Sequence, residues 1–489
     1  MLAKRDTQGF IIPSTVKPHK LPRHTDYDSG ATEVTRREFI KDGSVAILAL
    51  ASTPLAGTGN AADTNAPVSG TESATDYKGQ SPPVSLGLIG CGPWGRELLK
   101  TASVLPNAPV VAVCDTYPAA LKRAATLAPE AKQYENYRDL LADPKVEGVI
   151  VATPSHLHRD IVLDAIKAGK HVYCEAPLAA DIEDARAIAK AAKESIKVNF
   201  QAGLQNRADR QVLNLATFIR TGVLGRPIKA RQQYHKKQSW RAAAPTPERQ
   251  KEVNWRLDHA ISPGLVGEIG IHQIDLTNWF FMLRPTAVTG FGSLRQWRDG
   301  RTVPDNVVAI LEYPGGLFLT YEATLGNSFD AELNLFFGSD CAIMLRDRRA
   351  WMFQEIDAPQ LGWEINAIKE KFYKATGVVL AAGYSKAMPN QTAKPTEVPQ
   401  DPKSPLQYAL EAFVINSYNH QAAIRDFTSA YDPSDTNALK EYLDEIAKTR
   451  VPAPGWAEGY EATVTALKAN QAIAGNQRIT IEPAVFELG

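Results

Sequence analysis

Glu268, His272, Asp275 and Trp279 recur at i, i+4, i+7 and i+11 within Pro263 to Phe281, while Ile271 and Ile274 fall off that line. Residues so spaced share one face of a helix, so the segment is predicted to be a helix with a polar, titratable face. An imidazole positioned by a carboxylate takes up a proton near neutral pH, which suits removal of a hydroxyl proton as hydride leaves the same carbon. His272 is the candidate for that catalytic role, with Glu268 and Asp275 as the accompanying acids. By residue type alone the acids also fit helix caps or surface groups, and the histidine a satisfied interior residue. Histidine and carboxylates at this spacing also share metal ions, but no second histidine cluster completes such a site, and no metal is expected.

A departing hydride needs an acceptor, and a site for one is legible upstream. Val84, Leu86, Leu88 and Ile89 form a short apolar run suited to a parallel strand buried on both faces, and Gly90, Gly92 and Gly95 follow at G-x-G-x-x-G spacing around Pro93 and Trp94. Arg96 to Leu105 is compatible with a helix, whose free N-terminal N–H groups attract an anion. Gly90 permits the turn, Gly92 lets the backbone approach a pyrophosphate, and Gly95 lets the helix pack on the sheet. Glycine-rich turns also serve simple chain reversal. A second apolar run, Pro109 to Cys114, ends at Asp115, where a dinucleotide fold puts an acid on the adenosine ribose. That acid accepts from both ribose hydroxyls and repels a 2′-phosphate, so the expected cofactor is NAD rather than NADP. Alone, Asp115 also fits a capping or turn aspartate before Pro118; beside the glycines, the dinucleotide reading takes precedence.

The elements that must position these groups alternate regularly from Val84. Strands are predicted at Lys132 to Tyr134, Val146 to Ala152, His171 to Cys174 and Lys197 to Ala202, with helices at Pro118 to Leu127, Tyr137 to Leu141, Arg159 to Ala168 and Ile182 to Glu194. This implies right-handed crossovers and a doubly wound parallel sheet, the N-terminal Rossmann domain of an α/β protein over residues 84–203. Chemistry in such a sheet lies at the carboxyl ends of strands. Thr153-Pro154 with His158, Glu175-Ala176-Pro177, and Gln205 are therefore predicted to converge on the nicotinamide.

Beyond Gly203, residues 204–489 read as a second α/β domain. Asp209 to Thr221 is predicted as a helix closed by Gly222, while Ile228 to His235, Val307 to Tyr313 and Leu317 to Thr324 alternate like strands of a sheet with one open face. An insertion around 360–401 is expected to hold one helix and a Pro-rich loop. Ala422 to Ala430 and Tyr460 to Ala474 read as helices, and Gln477 to Ile481 as a closing strand. Arg207, Tyr234, His235, Trp255 and Arg256 are candidate substrate contacts that offer aromatic platforms and donors, although Tyr234, His235, Trp255 and Arg256 fit exposed loop or strand positions equally well.

The segments GCGPWG, ATPSHLH, GKHVYCEAPL and GEIGIHQID, in this order, resemble the superfamily of glucose-fructose oxidoreductase, inositol dehydrogenase and the rhizopine-catabolism protein (Gfo/Idh/MocA) from about Val84 to the C-terminus. The resemblance implies an open mixed β-sheet in the second domain, sugar or polyol chemistry at the nicotinamide, and His272 beside the substrate hydroxyl. It sets Glu268 where aspartate is commoner and Asp275 on the later acid. It also implies a homo-oligomer, because relatives often pair through the open sheet face. The second motif is normally Glu-Lys-Pro, with the lysine as a proton relay. Here Ala176 takes that place and neither donates nor accepts a proton, as in the branch of NAD-dependent glycosidases.

At 489 residues, 44% hydrophobic and 22% charged, the chain has the composition of an ordinary globular protein with two domains and tails. Lys plus Arg equals Asp plus Glu at 54 each, so no global field holds nucleic acid or an anionic membrane, and the expected partner is a small molecule. Cys91, Cys114, Cys174 and Cys341 are scattered, which predicts neither a disulfide framework nor a zinc site. Thr35 to Lys41 (TRREFIK) reads as a twin-arginine export motif, and the weakly apolar Gly43 to Gly57 is too short to span a membrane. Small residues near Gly59 to Ala61 complete a signal region over 1–61, and 62–83 is a flexible leader; a periplasmic location without membrane insertion follows. The long polar stretch before the arginines also fits an unstructured basic terminus.

Three functions are compatible with these readings. The first is an NAD-dependent oxidoreductase acting on a carbohydrate with tightly bound NAD. The second is an NAD-dependent glycosidase, in which oxidation acidifies the neighbouring C–H, elimination expels the aglycone, water adds and the hydride returns. The third is a non-catalytic sugar-binding module. A periplasmic enzyme has no obvious NAD pool to draw on, which favours a closed cycle over a simple dehydrogenase.

Overall fold

The computed structural model describes residues 81–372, 375–381 and 401–489. The twin-arginine motif, the cleavage region, the leader up to residue 80 and the Pro-rich part of the insertion lie outside the described residues.

The first lobe is β1 (Leu86–Ile89), α1 (Pro93–Ser103), β2 (Val110–Cys114), α2 (Pro118–Ala125), β3 (Lys132–Tyr134), α3 (Tyr137–Leu141), β4 (Gly148–Val151), α4 (His158–Lys167), β5 (His171–Cys174), α5 (Ile182–Glu194) and β6 (Phe200–Ala202). Every pairing is parallel, in the order β3-β2-β1-β4-β5-β6. Strands β1, β4 and β5 are buried at every residue, which is why their sequences are continuous apolar runs rather than alternating ones. The order reverses between β1 and β4, and the carboxyl ends on either side of that point open into a crevice.

The second lobe is built on a ten-stranded mixed sheet. Its strands are β7 (Pro227–His235), β8 (Ala287–Ser293), β9 (Asn306–Glu312), β10 (Phe318–Thr324), β11 (Glu332–Gly338), β12 (Cys341–Arg346), β13 (Arg349–Gln354), β14 (Lys369–Phe372), β15 (Ala375–Leu380) and β16 (Arg478–Thr480). They lie in the order β14-β15-β13-β12-β11-β7-β10-β9-β8-β16, with β7 and β10 parallel and the other pairs antiparallel. The helices beyond the first lobe in sequence are α6 (Arg210–Phe218), α7 (Pro247–Val253), α8 (Ile271–Phe281), α9 (Pro405–Ala430), α10 (Thr436–Ala447) and α11 (Trp456–Gly475). Ile274, Phe280, Ala472 and Ile473 from α8 and α11 share one core with Leu311, Leu319, Tyr321 and Phe336 from the sheet. On the opposite face β9 and β10 alternate, leaving Val308, Ile310 and Phe318 exposed.

Two expectations differ over the described residues. The described part of the insertion holds no α-helix. It forms a 3-10 turn, Trp363–Asn366, and the antiparallel pair β14–β15 that extends the sheet. The helix expected over Ala422 to Ala430 is the last third of α9, which starts at Pro405 behind a Ser404 cap. Its earlier turns pack on the first lobe, where Phe413 meets Tyr173 at a ring separation of 5.8 Å. Tyr460 and Val464 of α11 join that lobe's other core. The C-terminal helices thus serve both lobes.

Candidate active site

The turn after β1 is shaped by backbone proximity. Gly90 has φ +100°, and a Cβ there would stand 2.6 Å from the Ala152 carbonyl; one on Gly95 would stand 1.9 Å from the Gly90 carbonyl. Gly92 meets nothing within 4 Å and caps α1, whose first turn carries Pro93 and no acid. The first turn of the helix thus carries no carboxylate of its own, and such an N-terminus attracts an anion. At the end of β2, Asp115 accepts the Cys91 N–H at 2.9 Å and the Tyr117 N–H at 2.8 Å, which fixes the carboxylate at the rim. A cleft of 1760 Å³ runs from this acid along the strand ends to the second lobe and is lined by Gly90, Gly92, Pro93, Trp94, Asp115, the turns that follow β4 and β5, and residues of α8. Gly95 does not line it and acts through packing.

Buried polar atoms without a protein partner gather along this cleft: Thr153 Oγ1, Glu175 Oε1, Gln205 Oε1, His156 Nδ1 and His272 Nδ1. Groups left unpaired at such cost mark a surface shaped for a ligand. Together with the open turn at Gly92 and the rim acid, they fit a dinucleotide with its pyrophosphate at α1 and its nicotinamide near Thr153, Pro154 and Glu175. Burial pushes the Glu175 carboxyl up to about 7 against the Trp94 indole and Ala176 N–H bonds, which favour its charged form. His158 is buried with Nε2 2.9 Å from the Thr153 carbonyl and Nδ1 3.2 Å from the Pro177 carbonyl, so it ties the two strand-end turns together. Pro177 follows a cis peptide and, unlike Ala176, does not line the cleft.

His272 enters from the other lobe. The helix begins not as an α-helix but as a π turn, Val266–Gly270, and Gly270 lets it lie against the Tyr321 ring, 2.8 Å from where a Cβ would sit. Gln232 donates its side-chain amide to the Gln273 carbonyl and Gln273 donates to the Gln233 carbonyl at 2.7 Å, tying α8 to β7. His272 faces the cleft with Nδ1 unpartnered. Burial lowers its pKa below 6.5, against the pull of the Asp275 and Glu268 charges. The expected carboxylate–imidazole hydrogen bond is not made, because arginines take both acids. Glu268 lines the cleft and accepts from Arg256 Nε at 2.7 Å and Ser155 Oγ at 2.8 Å. Asp275 is fully paired with Arg207 through two contacts of 2.9 Å.

Neither Arg207 nor Asp275 lines the cleft, so Arg207, expected at the substrate, stands behind α8, 5.1 Å from the Trp279 ring centroid. His235 is likewise outside, its Nδ1 2.9 Å from the Phe329 carbonyl. Tyr234, Trp255 and Arg256 do line the cleft. His156 was not singled out, yet it lines the cleft with its ring 5.7 Å from Trp255. Its only signal was its place in the turn after β4, two residues before His158.

The chain matches the family described as "Oxidoreductase family, NAD-binding Rossmann fold" over residues 84–203 and "GFO/IDH/MocA C-terminal domain" over 212–340. It is 30% identical over 250 residues to inositol 2-dehydrogenase of Salmonella typhimurium, covering 51% of this chain and 69% of that one. It is 28% identical to the levoglucosan dehydrogenase of Pseudarthrobacter phenanthrenivorans, over 49% and 67% of the two chains. A 2,7-anhydro-N-acetylneuraminate hydratase of Escherichia coli is 28% identical over 49% and 61%. The fold is shared with the structure of a levoglucosan dehydrogenase in complex with NADH and L-sorbose, at TM-score 0.61 and 19% identity over 82% of this chain and 100% of that one. The first lobe is accordingly an NAD-binding domain, and the chain belongs to the Gfo/Idh/MocA family of oxidoreductases.

Proposed function

We propose that the protein transfers a hydride between a carbohydrate ring carbon and tightly held NAD, with His272 as the proton acceptor. The observation that carries this reading is the His272 imidazole, turned into the cleft from the second lobe with Nδ1 unpartnered. Bound NAD supplies the hydride acceptor. His272 is neutral near pH 7 because burial lowers its pKa, so it is ready to take the hydroxyl proton. Glu268 and Asp275 stabilise the imidazolium through space, while Arg256, Ser155 and Arg207 hold those acids in place. Tyr234 and Trp255 offer the sugar its apolar face.

A second reading, the redox-assisted glycosidase, is favoured by Ala176 and His156. The strand-end position that would carry a lysine holds an alanine, and a second imidazole with an unpartnered Nδ1 lines the same cleft. An elimination needs one group to remove a proton and another to protonate the leaving oxygen, and two histidines meet that need. The hydratase relative adds support. Incubation of purified protein, without added cofactor, with free sugars and aryl glycosides separates the two. Accumulating reduced nicotinamide, or transfer between sugars, selects the oxidoreductase; aglycone release without it selects the glycosidase. Neither change with any compound leaves a sugar-binding module.

The export motif at Thr35 to Lys41 supports a periplasmic location. Folding around NAD before translocation would explain a cofactor that is retained rather than exchanged.

A further inference from the structure

After β7 the chain leaves the second sheet and, over residues 236–262, runs back along the cleft before entering the π turn. Asn254 closes the segment on itself, accepting the Ala242 N–H at 2.7 Å and donating to the Ala242 carbonyl at 2.9 Å, and Arg241 pins it to its own lobe by bonding Asp299 at 2.9 Å. One end of the segment supplies Trp255 and Arg256 to the catalytic region. The other end supplies α7, capped by Thr246, and on it Arg249.

Arg249 sits beside the acid at the end of β2. Its guanidinium lies 4.3 Å from the Tyr117 ring centroid, and its Nη2 is 3.9 Å from Asp115 Oδ1. Nη1 bonds Glu252 at 2.6 Å, while Nε is buried without a protein partner. Asp115 and Arg249 both line the cleft. An acid at the end of the second Rossmann strand holds the adenosine ribose, so the base carried by that ribose comes within reach of a guanidinium placed beside the acid. A planar guanidinium stacks on aromatic faces and keeps donors at its edge.

We infer that Arg249 is a cofactor-binding residue supplied by the second lobe, which holds the adenosine half of NAD against the end of β2. The cofactor is then gripped from both lobes, and its release requires residues 236–262 to withdraw. The inference rests on the cleft being the NAD site and adds to it a ligand from outside the Rossmann domain.

Calorimetric titration of the cofactor-stripped full-length protein tests it, with NAD⁺, ADP-ribose and nicotinamide mononucleotide as probes. Arg249→Ala is expected to weaken NAD⁺ and ADP-ribose about tenfold, to leave the mononucleotide within about twofold, and to speed NADH release by a similar factor. Arg249→Lys keeps the charge beside Asp115 and loses the plane; it is expected to retain the wild-type melting temperature and still lose at least about threefold on ADP-ribose. Wild-type ADP-ribose affinity in both variants overturns the inference alone, as does an equal loss on both halves of the cofactor. Wild-type protein that binds neither NAD⁺ nor ADP-ribose overturns it together with the cleft reading.

Discussion

A histidine acts as a base only while it is neutral and has a nitrogen to offer, and His272 meets both conditions through burial and a missing partner. Because its folded pKa lies below the ordinary 6.5, the base form fills as pH rises through that lowered value and is complete near neutrality. We expect kcat/KM to climb along an acidic limb centred below about 6.5 and then level; a limb centred above that value contradicts the assignment. His272→Ala should lower turnover at least about a hundredfold while calorimetry still finds NAD bound. The glycines, Asp115 and His272 were legible because each answers a local demand of backbone or chemistry. The arginines that seize the acids were not. Arg207 lies 68 residues from Asp275, and nothing in residue type marks which arginine will reach which carboxylate.

Among the elements, the β1–α1 junction bears the closest approach, and a single methyl tests it. Gly95→Ala drives a Cβ onto the Gly90 carbonyl, so α1 must lift from the sheet and carry its N-terminus away from the pyrophosphate. A stability loss of about 2 kcal/mol or more, read by thermal melting, with weakened NAD affinity in titration, is the expected result. Elements with a clean signal were readable: doubly buried strands as apolar runs, and β9 and β10 as alternation. The first turns of α9 were hidden because Leu410, Ala412, Phe413, Val414 and Ile415 are all buried and leave no stripe of period 3.6. The β12–β13 hairpin was hidden for a different reason. Asp347 and Arg348 both take positive φ in its two-residue turn, without the glycine or asparagine that would announce it.

Among the described residues, the open face of the second sheet carries apolar side chains that the cleft does not explain. Phe291, Val308, Ile310 and Phe318 are 54%, 39%, 43% and 47% exposed on adjacent strands β8, β9 and β10, with Phe291 directly opposite Val308. A contiguous apolar face of this kind suits a second copy of the chain, and we propose pairing through it. Ile310→Asp with Phe318→Asp should convert the oligomer to a monomer in light scattering while the melting temperature holds; a wild-type protein of single-chain mass contradicts the pairing. The central claim, however, is that the two lobes bring a sugar carbon and the nicotinamide together so that hydride passes between them. The direct measurement is mass spectrometry of the NAD retained by the purified protein after mixing with sugars and glycosides deuterated on the ring carbons. Deuterium in the nicotinamide of wild-type protein, strongly reduced in His272→Ala, is the expected result; NAD that stays bound yet unlabelled with every compound would contradict it.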